Sequence, residues 1–260
     1  PGQDGSNSAV VTLHYVYALQ NAARIFDVLG EPQQAQAYRQ RADFIKKKVY
    51  NACYDDGRGL MAERPTKDYF DQHTNILAVL TDALPVAQHK AILRKILTDP
   101  RPGEPALGQA TFYFRMYLFE ALHKAGAADL VPQALAPWKA LLADGLSTTP
   151  ESFVSVRKIV RSECHPWSTA PAYHFFATVA GIRPAEPGFR KLTVAPNFGE
   201  LSAMEGTYPI PAGDVVFSLK KTGTGLSGTV TLPDGVSGTL IWGTKRKVLN
   251  PGRQTLDLSF

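Results

Sequence analysis

The sequence predicts an α+β protein, a helical part followed by a small antiparallel β-sandwich. Two observations carry this reading. Up to Gly181 apolar residues recur at three- and four-residue intervals, as on the faces of helices. Beyond it they alternate, between glycine-containing turns, as in half-buried strands. The stretch Ile182-Arg183-Pro184-Ala185-Glu186-Pro187-Gly188 between the two regimes reads as a linker, so the domains are expected at 1–183 and 184–260.

About seven helices are expected. The first runs from Ser8 to Leu29 with Val11, Tyr15, Ala18, Ala22 and Ile25 on its apolar face, and Gly30 ends it. The second covers Pro32–Tyr50, with proline in its first turn and Ala35, Tyr38, Ala42, Ile45 and Val49 facing inward. A loop at Asp55-Asp56-Gly57-Arg58-Gly59 and an irregular stretch to Tyr69 precede the third, Gln72–Leu84, and the fourth, Val86–Thr98. Proline and glycine crowd Pro100–Pro105, which marks a break. Leu107–Ala125, Asp129–Asp144 and Pro171–Gly181 complete the helical part, and short connections imply antiparallel neighbours. Strands are expected at Leu192–Ala195, Val215–Leu219, Leu226–Leu232, Gly238–Trp242 and Gln254–Phe260 within a sandwich of about six to eight strands. Thr222-Gly223-Thr224-Gly225 and Pro233-Asp234-Gly235 read as hairpin turns.

Composition excludes several classes. With 44% hydrophobic and 20% charged residues the chain is an ordinary globular mixture. No apolar run approaches a membrane span. The net charge of +5 is spread over both parts: from Pro184 on, eight Lys/Arg stand against six Asp/Glu. Lys46-Lys47-Lys48 and Lys245-Arg246-Lys247 are short runs, so the excess reads as a solvated surface and not as a nucleic-acid footprint. Cys53 and Cys164 make neither a disulfide framework nor a zinc spacing, and His14, His89, His123 and His174 fall in no ligand pattern, so no metal site is read. The sequence opens on Pro1 without a basic-then-apolar leader and reads as a chain that begins after a cut or as a piece of something longer.

One stretch is rich in chemistry. Leu146–Ser152 and Ser162–Ser168 are too full of Ser, Thr and Pro for regular structure, yet they hold Glu151, His165 and Trp167. Catalytic groups concentrate on loops held by a rigid scaffold. A carboxylate to take a proton from water, an imidazole to bond hydroxyls and an indole to cover an apolar sugar face are what a glycosidase site needs. The plainer alternative is a polar loop between helices with a core tryptophan. Asp68, Asp71, Gln72 and His73 flank the third helix and could reach the same mouth, or they form its acidic N-cap region. Phe112, Tyr113, Phe114, Tyr117 and Phe119 read mostly as core, with Tyr113 or Tyr117 left to line a pocket.

The runs Gly145–Glu151 (GLSTTPE), Ser162–Phe176 (SECHPWSTAPAYHFF) and Gly181–Pro196 resemble the C-terminal part of bacterial α-L-rhamnosidases of glycoside hydrolase family 78. The resemblance implies an (α/α)6 toroid, here partial, followed by a β-domain, and an inverting hydrolase of terminal α-L-rhamnose that uses no cofactor. Thr148-Thr149-Pro150-Glu151 is similar to the family's base motif, so Glu151 inherits the general-base role. The match of Cys164–Ser168 gives His165 a sugar contact and Trp167 a wall of the site. The family's general acid lies in an acidic, Arg- and Trp-containing motif upstream, and nothing like it occurs here. Asp68, Asp71 and Tyr113 remain weaker candidates. The expected partners are rhamnose-containing glycosides, with neither nucleic acid nor membrane, and a second copy over the open face of the toroid. Two rivals stay open at this point: a non-catalytic carbohydrate-binding or scaffold fragment, and another (α/α)6 glycosidase of trehalase or glucoamylase type.

Overall fold

The computed structural model describes residues 7–98, 106–152 and 162–258. The break at Pro100–Pro105 lies outside these residues. The chain divides into two compact units, Pro1–Thr169 and Ala170–Phe260.

The first unit is built from helical hairpins. α1 (Ala9–Val28) starts at Ser8, whose hydroxyl accepts from the Val11 amide at 3.2 Å. α2 (Pro32–Cys53) folds back on it around Val16, Leu19 and Ala42. A two-residue antiparallel pair, β1 (Tyr54–Asp55) with β2 (Leu60–Met61), closes the Asp55–Gly59 loop. α3 (Gln72–Leu80) is buried at every residue except His73, its polar Gln72, Thr74 and Asn75 as well as the apolar Ile76–Leu80. α4 (His89–Thr98) follows a single 3₁₀ turn at Val86–Gln88. α5 (Arg115–Lys124), α6 (Val131–Ala134) and α7 (Ala136–Ala143) complete the unit. α1, α3 and α5 are neighbours in one layer, and α2, α4 and α6 return beside them. This is the repeated α-hairpin of an (α/α) toroid, with three hairpins among the described residues.

Several helices differ from the sequence reading. On α1 the buried face is Leu13, Val16, Leu19 and Ala23, while Val11, Tyr15, Ala18 and Ile25 are exposed and Ala22 is half-buried. Both stripes have helical spacing, so periodicity alone does not choose between them. α3 stops at Leu80 because Asp82 adopts a left-handed conformation (φ 56°). Residues Leu107–Phe114 are irregular where a helix is expected. There the backbone of Gly108 bonds to Phe70 and Gln72, and the Ala110 amide donates to Gln72 Oε1, so these groups do not form a helical ladder. The sixth helix breaks near Leu135, just before Pro137, into α6 and α7.

In the second unit α8 (Ala170–His174) runs into a π-helical turn at Phe175–Val179. Eight strands follow: β3 (Ile182–Pro184), β4 (Lys191–Val194), β5 (Ala203–Ile210), β6 (Gly213–Thr222), β7 (Gly225–Leu232), β8 (Ser237–Trp242), β9 (Lys245–Leu249) and β10 (Gly252–Leu258). They form two four-stranded sheets, β10-β7-β6-β5 and β3-β4-β8-β9, around one core that includes Val194, Phe217, Leu219, Val230, Leu240 and Leu256. This is the expected sandwich, with β5 and β9 added to the strands named from sequence and three further differences. The expected linker supplies β3, which pairs with β4 from Ile182↔Val194 to Pro184↔Leu192. β4 and β8 pair in parallel. Pro233-Asp234-Gly235 turns the chain from one sheet into the other and makes no hairpin. Thr222–Gly225 does close the β6–β7 hairpin.

Gly228, at φ 140° in β7, lies where an added Cβ would stand 2.0 Å from the Ser218 carbonyl oxygen of β6. No side chain fits without parting the two central strands. Gly223, at φ 60° in the hairpin turn, has nothing within 4 Å. Gly228→Ala is therefore expected to cost more than about 2 kcal/mol in a denaturant titration, and Gly223→Ala about 1 kcal/mol from backbone strain alone.

Candidate active site

The two segments that carry Glu151 and His165 are fastened to each other. The Glu151 amide donates to the Ser162 carbonyl at 2.8 Å, and the His165 amide to the Thr149 carbonyl at 2.7 Å. The Thr149 hydroxyl returns a bond to the His165 carbonyl at 3.2 Å, and Thr148 Oγ1 donates to the Glu163 carbonyl. Buried Ser168 donates to the Pro150 carbonyl at 2.6 Å, and Trp167 Nε1 to the Glu151 carbonyl at 3.2 Å. Serine and threonine suit this clasp because their hydroxyls replace the ladder bonds that a loop lacks.

A hydrogen bond ties the clasp to the helices: Trp138 Nε1 on α7 donates to the Ser168 carbonyl at 2.8 Å. The Trp138 ring sits 4.9 Å from Phe112 and 6.0 Å from Phe119, both fully buried. The sequence-predicted residues then meet along one aromatic wall. His165 packs on Trp167 at 4.1 Å between ring centroids, Trp167 on Tyr113 at 5.6 Å, and Tyr113 on Tyr117 at 6.2 Å. Tyr113 and Trp167 are about half exposed.

The wall continues through Tyr117 and His73, which the sequence named as possible site residues, and through His14 and Tyr17, which it did not place there. Tyr117 touches His14 and Tyr17 of α1 and Phe114, and Phe114 meets His73 at 4.4 Å. These residues come from α1, α3 and α5, so no local pattern joins them. Burial, with a hydrogen bond to Tyr113, pushes the Tyr117 hydroxyl up to about 12, so it stays protonated.

Asp71 lies beside His73 at the far end of this wall, and Asp68 pairs locally. Asp71 is buried and caps α3, with Oδ1 accepting from the Thr74 amide at 2.8 Å and Oδ2 3.8 Å from His73 Nδ1. Asp68 accepts from Thr66 at 2.8 Å and pairs with Arg64 at 3.3 Å. Arg115, buried and lowered to about 10 by that burial, donates to the Ala110 and Ala134 carbonyls and so pins the irregular segment that presents Tyr113. Cys53 is buried and Cys164 exposed, both as free thiols.

Helical hairpins around a polar clasp with an aromatic wall, followed by a β-sandwich, make a glycosidase-type architecture. The model of the bacterial α-L-rhamnosidase six-hairpin glycosidase domain matches residues 1–179, and that of the bacterial α-L-rhamnosidase C-terminal domain matches residues 181–256. The chain belongs to the bacterial α-L-rhamnosidase family. It is 24% identical over 224 residues to an α-L-rhamnosidase of Alteromonas sp. (strain LOR), covering 80% of this chain and 24% of that protein. Among solved structures it resembles the GH78 family rhamnosidase of Bacillus sp. GL1, with a TM-score of 0.74, 23% identity, and coverage of 90% of this chain and 27% of that one. It also resembles the Streptomyces avermitilis α-L-rhamnosidase solved with L-rhamnose, with a TM-score of 0.72, 18% identity, and coverage of 94% and 26%. The chain thus spans about a quarter of the length of these relatives.

Burial lowers the proton affinity of both His14 and His73, with Asp71 partly opposing the effect at His73. For a base whose folded pKa lies below its unfolded value near 6.5, the unfolded chain takes up protons that the folded chain refuses. That stability is complete above about pH 6.5 and is lost as the pH falls from there toward the folded pKa. Melting temperatures measured from pH 7.5 to 5 should fall below about pH 6.5, and His14→Asn with His73→Asn should flatten that part of the curve.

Proposed function

We propose that this chain is the part of an inverting α-L-rhamnosidase that carries the general base. The observation that supports it is the clasp, which holds Glu151 through its backbone beside Trp167 and, through Trp167, beside Tyr113 and His165. Family membership supports rhamnose-containing glycosides as the substrate class.

In this reading the Glu151 carboxylate takes a proton from water as the water oxygen attacks the anomeric carbon. The bond to the leaving oxygen breaks on the opposite face, and a second carboxylic acid protonates that oxygen. For inversion the two carboxyl groups stand about 6.5–9.5 Å apart, leaving room for the water. Trp167 and Tyr113 present ring faces to the apolar side of the sugar, and His165 offers a ring nitrogen to a hydroxyl. The reaction needs no cofactor.

Neither of the two aspartates read as weaker candidates is free to act as the acid in this reading. Asp71 is occupied in capping α3 and Asp68 in pairing with Arg64. The chain spans about a quarter of the length of its relatives, and the non-catalytic alternative applies to the 260-residue chain taken alone.

The test is Glu151→Gln in the full-length enzyme. Loss of a positioned base costs about 10²–10⁴-fold in kcat, and the folded content should be unchanged. Retention of more than about a tenth of the rate would remove Glu151 from this role.

A further inference from the structure

We propose that the far half of the aromatic wall, Tyr117, Tyr17 and His14, is a second sugar subsite, so that the preferred substrates carry rhamnose linked to another sugar and not to an aryl group. The proposal rests on the rhamnosidase reading above and names the part of the substrate beyond the bond that breaks.

The wall is longer than one sugar. Between ring centroids it runs 5.6 Å from Trp167 to Tyr113 and a further 6.2 Å to Tyr117. From Tyr117 it is 5.3 Å to His14 and 6.1 Å to Tyr17. A pyranose is itself a single six-membered ring and covers one such step. Rhamnose seated against Trp167 and Tyr113, with His165 on a hydroxyl, therefore leaves the far half uncovered. That half is within reach of a ligand: Tyr117, Tyr17 and His14 are half-buried, while Leu13, Val16 and Leu118 beside them in the chain are buried.

The chemistry of the rings selects the ligand. In the far half the ring that lacks a polar atom, Phe114, is buried, and the rings left in reach each carry one. The Tyr117 hydroxyl is hydrogen-bonded with Tyr113 and stays protonated. Tyr17 adds a second hydroxyl on a ring set edge-on to Tyr117. His14 bonds to the Val10 backbone through its ring, and burial lowers its proton affinity, so at neutral pH its other nitrogen accepts a hydrogen bond. Polar edges spaced along an aromatic surface suit a ring with C–H groups on its face and hydroxyls around its rim. A planar aryl group would cover the same surface and leave those edges without partners.

The test compares a rhamnosyl-glucose disaccharide with p-nitrophenyl rhamnoside on the full-length enzyme. Tyr17→Phe with His14→Leu removes the two polar edges on α1, and Tyr17→Phe alone takes away a single oxygen and no packing. The quantity read is kcat/KM for the disaccharide divided by kcat/KM for the aryl rhamnoside. It should fall about tenfold or more in the double variant and about threefold in the single one. If the double variant fails to fold, the single variant carries the test. An unmoved ratio, whether both substrates suffer equally or neither does, would overturn the proposal. A ratio that rises would overturn it in favour of an aryl subsite. The ratio is taken with Glu151 in place and does not depend on which residue is the base. Should the protein turn over neither substrate, the rhamnosidase reading fails, and calorimetric titration with the disaccharide and with free rhamnose decides the subsite separately. Disaccharide binding about tenfold tighter than rhamnose supports it, and equal affinity overturns it.

Discussion

The hydrogen bond from Trp138 to Ser168 joins the rigid part of the first unit to its chemistry. Trp138 is held by Phe112 and Phe119 in the helical core, and its indole nitrogen grips the Ser168 carbonyl. Ser168 in turn holds Pro150 through its hydroxyl, and Pro150 immediately precedes Glu151. A buried hydroxyl that lost its partner would cost about 1–3 kcal/mol, so the loop is strongly biased to this one arrangement. Loops gain precision for function when a scaffold over-determines them, and here the scaffold acts through two side chains.

The same logic explains the irregular segment before α5. Gln72 is a core residue that spends its amide on backbone, accepting from Ala110 and donating to the Ile96 carbonyl at 2.8 Å. With Arg115 bonding Ala110 and Ala134, it holds Leu107–Phe114 out of the helix that its composition favours. The consequence is functional. Tyr113 leaves the core, where Phe112 and Phe114 stay, and faces Trp167. A local preference is overridden where a site is built.

The fold class, the helical hairpins and most strands were legible because burial imposes a period on the sequence. Legibility ended where the period was ambiguous or the partner was distant. α1 has two apolar stripes, so its core face could not be chosen from spacing. Ile182–Pro184 looks like a linker by its prolines, yet it becomes an edge strand, where a missing amide is tolerated. β5 and β9 were missed because Met204–Ile210 mixes glycine and proline with apolar residues, and Lys245–Arg246–Lys247 is charged as an edge strand often is. In the site, Glu151, His165 and Trp167 stood out through motif and loop composition. Of their neighbours, His73 and Tyr117 were open possibilities, while His14 and Tyr17 did not stand out, because helix packing alone brings them there. Asp71, read from sequence either as a site residue or as part of the α3 cap, caps α3 through Oδ1 and lies 3.8 Å from His73 through Oδ2.

The account rests on the clasp being one cooperative unit anchored by Ser168. Amide hydrogen exchange across it measures this directly, because the Glu151 and His165 amides donate between the two segments. In Ser168→Ala the account predicts that both amides lose protection together, by about tenfold or more, while the amides of α3 keep theirs. Unchanged protection at Glu151 and His165, or an equal loss throughout α3, would contradict it.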